Sequence, residues 1–209
     1  MSGLVFVGGR GVQVSYIGAH TANVSATASH TFNSIDLGQT YSNGLLVLGA
    51  AATGGVSVLN SVTVGGVPAT VDVINNSGGI SIGLFSQAAV GGTGNVAVGV
   101  TGANASRFWL FVWKLRGVLS ASNRDTASSS GTSTSVDVLK NGAGVGLVID
   151  YNVATNFVWT GLTKNDEQVI TNTVASGASG AFNADQLPLS VTVSSPAAFD
   201  RRIVAASWR

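Results

Sequence analysis

Apolar residues recur along this chain with a period of two. Val62 and Val64 alternate with polar neighbours, and so do Val67, Ala69, Val71 and Val73. The same spacing runs through Ile80, Ile82 and Leu84, through Val96, Val98 and Val100, and through Leu187, Leu189, Val191 and Val193. Successive strand side chains point to opposite faces, so the pattern predicts a succession of strands, each with one buried face. Helical spacing is absent, and the abundant glycine and β-branched residues also disfavour helix. Turn residues punctuate the runs. Gly65-Gly66 joins "SVTV" to "VPATVDV" as a two-residue hairpin turn, because glycine reaches positive φ cheaply. Asn43-Gly44 and Asn141-Gly142 each precede an apolar run, and Asn76 to Gly79 separates two more. The expectation is an all-β fold, an antiparallel sandwich of jelly-roll-like type.

The pattern is written twice. "NGLLVLGAAA" from Asn43 matches "NGAGVGLVIDY" from Asn141, and "TANVSATASHTFNSIDL" matches "TASSSGTSTSVDVL". "GNVAVGVTGANASRFWLFVWKL" parallels "LPLSVTVSSPAAFDRRIVAASW", which places Trp113 and Trp208 at equivalent positions. An offset of about a hundred residues suggests an internal duplication. The predicted layout is an arm over 1–11, a first half over 12–118, a serine-rich joint over 119–131 and a second half over 132–209. Two separate sandwiches and one larger body both fit this layout.

Composition narrows the function classes. Charged residues make up 9% of the 209 residues, against the roughly 25% usual for soluble domains. The net charge is +1 and the basic residues form no block, so no nucleic-acid partner is expected. The chain has no cysteine, which removes disulfides and thiolate metal sites. Mean hydropathy is positive, yet no apolar run approaches the ~18 residues of a spanning helix. The start lacks the basic and apolar regions of a secretory signal. Neither a membrane partner nor export is expected.

Candidate chemistry is sparse. Gly79 to Gly83 spells G-x-S-x-G, the sequence of a hydrolase nucleophile elbow. An elbow needs a helix after the serine, and in the usual chain order a histidine later still. Here Ile80, Ile82 and Leu84 carry the alternation straight through, and His20 and His30 both precede Ser81. Ser81 therefore reads as a strand residue, on the solvent side if Ile80 and Ile82 are core. The two histidines lack a third ligand at metal-binding spacing, and the scattered aspartates single out no carboxylate pair. No catalytic, metal or cofactor site is expected, and no enzyme.

Recognition rests on aromatic residues. In "RFWLFVWKL", Phe108, Leu110 and Val112 share one face while Trp109, Phe111 and Trp113 share the other. Such a strand is either central and covered on both faces or carries an exposed aromatic platform, which makes Trp109 and Trp113 candidate partner-binding residues.

The runs "SVTVGGVPATVDV", "GLFSQAAVGGTGNVAVGVTG" and "FWLFVWKLRGV" resemble the β-rich virion surface proteins of tailed bacteriophages and prophages. That resemblance implies a non-enzymatic structural protein, foremost a decoration protein on the outer surface of the capsid, made in the host cytoplasm. It implies the major capsid protein or another virion protein as partner and a homo-oligomer, a trimer by analogy. The alternative is a tail-associated adhesin or fibre protein that binds host-surface glycans. For attachment, Leu4, Val5, Phe6 and Val7 are expected to add as a strand to a partner's sheet edge; a frayed terminus or the domain's own first strand are the competing readings.

Overall fold

A computed structural model describes residues 11–55, 57–88, 90–151, 156–195 and 200–209. The alternating runs become seventeen strands, and the described residues contain no helix. The first half holds β1 (Gln13–Thr27), β2 (Ser29–Asp36), β3 (Gly44–Thr53), β4 (Ser57–Val64), β5 (Val67–Pro68), β6 (Thr70–Ser77), β7 (Ile80–Ala88), β8 (Thr93–Gly102) and β9 (Ala105–Arg116). The second holds β10 (Asp125–Ser129), β11 (Ser133–Val138), β12 (Ala143–Tyr151), β13 (Val158–Thr160), β14 (Thr163–Ile170), β15 (Thr173–Ala181), β16 (Gln186–Ser194) and β17 (Asp200–Trp208). Gly65 and Gly66 take positive φ at the tip of the β4–β5 hairpin, as the turn requires.

The strands form four antiparallel sheets stacked in layers. A central five-stranded sheet runs β1-β9-β3-β7-β6, and the outer sheet of its half runs β2-β8-β4-β5. The second half repeats this order, with a central sheet β10-β17-β12-β15-β14 and an outer sheet β11-β16-β13. Each half buries an apolar layer between its own two sheets: Phe32, Leu48, Phe85, Phe108 and Leu110 in the first, Val136, Val148, Leu189, Val191 and Ile203 in the second. A third layer lies between the two central sheets and joins Leu45, Ile82, Trp109, Trp113, Leu147 and Trp208. The halves are thus two sandwiches sharing a core. The inner strands of both central sheets are covered on both faces, which is why β3 and β12 read as nearly unbroken apolar runs.

Across the shared core β1 lies against β14, β6 against β10 and β7 against β17. Equivalent strands occupy opposite sides, so the halves face each other about a pseudo-two-fold axis, as the subunits of a symmetric dimer do. The correspondence extends to single residues. The β6–β7 ladder skips Asp72 between Val71 and Val73, and the β14–β15 ladder skips Asn165 between Lys164 and Asp166. Ser86 donates to Asp72 Oδ1 (3.1 Å) and its counterpart Ser179 to Asn165 Oδ1 (2.8 Å).

Two expectations change. Leu115 pairs with Leu45 and Trp208 with Ala143, so the counterpart of Trp208 is Leu115, and that of Trp113 is Ala206. The sequence match slipped by two residues, which an alternating pattern permits because a two-residue shift keeps every side chain on its face. The expected joint also contains a strand, since β10 pairs with β17 along its length. Its serines suit an edge, where main-chain hydrogen bonds supply the pairing.

Candidate functional site

Trp109 and Trp113 belong to the shared core and are fully buried. The Trp109 indole donates to Gln168 O (3.3 Å) and the Trp113 indole to Asn165 Oδ1 (2.8 Å), both across the interface between halves. Tyr16 and Phe111 each lie 5.9 Å from Trp113, ring to ring. Neither tryptophan presents a surface to a partner: the second half covers the face that would have been a platform. Trp208 is fully buried as well, and half-buried Trp159 donates to Ser176 Oγ (3.0 Å). Leu4, Val5, Phe6 and Val7 lie outside the described residues.

Ser81 lies in β7, in register with Ala52 and Asn76. It is buried, not on a solvent face, because β7 is an inner strand of the central sheet and is covered on both faces there. His20 and His30 flank Phe32; His30 meets its ring edge-on at 4.7 Å and stacks on Phe108 at 5.6 Å. Burial pushes both imidazoles below their ordinary pKa, as expected of packing residues held neutral. Among the described residues no group of three or more His, Asp or Glu side chains is arranged to hold a metal ion.

The carboxylates largely serve the fold. Asp150 and Arg201 form a buried ion pair at 2.9 Å, and Arg201 also donates to Val193 O (2.7 Å) and Ser195 Oγ. Glu167 accepts from the Asn156 and Phe157 amides at 2.6 and 2.8 Å. Asp166 accepts from the Tyr16 hydroxyl at 2.8 Å, and burial followed by this hydrogen bond holds the phenol far above its ordinary pKa. These contacts explain why so few charged residues suffice: several tie one strand or one half to another.

Two concavities lie at opposite ends of β9. One, of about 500 Å³, opens between the halves and is lined by Thr53, Gly79, Arg107, Tyr151 and Asp200. Arg107 and Asp200 are counterparts about the pseudo-axis, in register with Thr53 and Tyr151 respectively. Both are engaged, Arg107 with Thr173 Oγ1 (3.3 Å) and Asp200 with Arg202 (2.5 Å). The other, of about 270 Å³, sits at the far end of the first sandwich and is lined by Gln13, Ser15, Gln39, Tyr41, Lys114 and Arg116. Periodicity missed this second cleft as a unit, although one sign was legible. Lys114 and Arg116 extend the row of Phe108, Leu110 and Val112, so a cation stands where an apolar residue is due.

No family model matches the chain, and no curated protein matches it.

Proposed function

We propose that the protein is a non-enzymatic structural component of a phage virion, a decoration protein bound to the outer surface of the capsid as a homo-oligomer. One observation carries the reading: the tryptophans that stood as candidate partner-binding residues close the fold itself, in a core shared by two sandwiches. A rigid, charge-poor block of this kind suits assembly in many copies, because few ions need desolvating at each contact. The strand order adds support. In each half the first strand neighbours the last and the second neighbours the penultimate, the wrapped arrangement of jelly rolls that recur in capsid proteins. The glycan-binding adhesin loses its proposed platform, since Trp109 and Trp113 are internal.

Attachment is assigned to residues 1–10, with Leu4 to Val7 pairing as a strand with the major capsid protein or another virion protein. Gly11 and Val12 stay with the fold, as Val12 donates to Asn141 O at 2.8 Å. Co-sedimentation with phage heads lacking the protein, and separately with intact host cells, tests the proposal. Saturable binding to heads, lost on deleting residues 1–10 while the fold persists, is the expected outcome. Binding to cells alone overturns the decoration reading, and undiminished head binding by the truncated chain overturns the arm.

A further inference from the structure

The smaller cleft holds two cations and no carboxylate. Lys114 is only 3% exposed, and no ion pair reaches it from the described residues. Its ammonium donates to Val90 O, which uses one of three donors. Arg116 lies over the Tyr41 ring at 5.4 Å and donates to Gln13 Oε1, which fixes the plane of its guanidinium. Tyr41 donates to Gln39 Oε1 at 2.8 Å. Both glutamines therefore use their amide oxygens within the wall.

What remains for a visitor is mostly donors: two N–H of the ammonium, most of the guanidinium fork and the two carboxamide NH₂ groups, beside the Ser15 and Tyr41 hydroxyls, which can also accept. A wall rich in donors and poor in acceptors recognises a ligand with the opposite endowment. An ammonium taken out of water without a counter-ion is costly, so an anion arriving here supplies the missing partner. Burial also lowers the Lys114 pKa, the response of a cation lacking compensation. At about 270 Å³ the cleft lies just below the usual range of small-molecule pockets, which suits one small ligand.

We propose that this cleft binds an acidic monosaccharide unit, its carboxylate held between Lys114 and Arg116 and its ring hydroxyls accepting from Gln13 and Gln39. The proposal is independent of the virion reading.

Titration calorimetry of the full chain with sodium glucuronate, glucose and inorganic phosphate tests it. Glucuronate should bind at one site, with glucose at least about tenfold weaker for want of the charged hydrogen bonds, and phosphate weaker because it keeps those but loses the two neutral hydroxyl–glutamine bonds. Lys114→Met should lose at least about tenfold in glucuronate affinity while the apoprotein keeps or gains stability, since it removes an uncompensated buried charge at similar volume. Arg116 is exposed, and Arg116→Gln should weaken binding without touching the fold. That second variant decides the matter if the first does not fold. No heat with glucuronate, equal affinity for glucose or phosphate, or unchanged binding in Arg116→Gln overturns the proposal.

Discussion

At the scale of residues, the two halves solve the same problem with different side chains. Asp72 and Asn165 sit at the same bulge, each accepting from a serine. Asp72 Oδ2 is buried without a hydrogen-bond partner, and burial outweighs the bonds from Asn123 and Ser86 to hold its pKa above the ordinary carboxylate value. A carboxyl whose pKa is raised by folding contributes most below its unfolded pKa, and that contribution is lost as pH rises through the folded value. Asp72→Asn, the choice already made in the other half, should therefore stabilise the protein at neutral pH by on the order of 1 kcal/mol. The gain should vanish below the unfolded carboxylate pKa. Thermal denaturation at both pH values measures it; equal gains at both would show that charge is not the cause.

Gly177 shows a complementary economy of size. A Cβ there would lie 2.6 Å from Cζ2 of Trp113 and 2.9 Å from Cδ1 of Phe111, both rigid rings in the shared core. Gly177→Ala should cost about 1–3 kcal/mol by overpacking, read from urea denaturation. A neutral result would mean that the central sheets separate more easily than their packing implies.

At the scale of elements, β9 is the strand on which the architecture turns. Leu110 packs toward the outer sheet of its own half and Phe111 toward the other half, and both are fully buried. Leu110→Ala should cost about 2–5 kcal/mol and Phe111→Ala about 3–5, although the two point in opposite directions. A strand with one wet face would tolerate one of them. Finding either change neutral in equilibrium unfolding would refute the double coverage of the central sheet.

The face of β9 that meets the second half is also matched in size. Trp113 stands against Gly177, whereas their counterparts about the pseudo-axis are Ala206 on β17 and Leu84 on β7. Large meets small on one side, and small meets large on the other. A symmetric pairing of two first halves would set Trp113 against Leu84, and a pairing of two second halves would leave Ala206 against Gly177. The divergence thus favours one half binding the other over either binding itself.

This determines an expectation for the whole molecule. Fragments 11–118 and 119–209, expressed separately and mixed, should form a one-to-one complex, whereas neither should form a stable dimer alone. Size-exclusion chromatography with light scattering distinguishes the outcomes. A folded, monomeric first fragment that ignores the second would show the shared core to be dispensable. The intact chain should unfold in a single transition, because opening the interface exposes the largest aromatic side chains of both halves.

The sequence by itself determined the strands, the turns and the twofold recurrence of the pattern, because alternation and glycine-bearing turns are local properties with local physical causes. It also identified Ser81 as a strand residue and reduced β9 to two readings. It could not choose between those readings, since an aromatic face looks the same whether solvent, a partner or the same chain covers it. Only the tertiary structure decided that the second half covers Trp109 and Trp113, that Ser81 has no solvent side, and that Trp113 corresponds to Ala206. It alone brought Gln13, Gln39 and Tyr41 beside Lys114 and Arg116. The reason is the same in every case: which face of a strand is buried follows from its periodicity, but what lies against that face depends on residues distant in the chain.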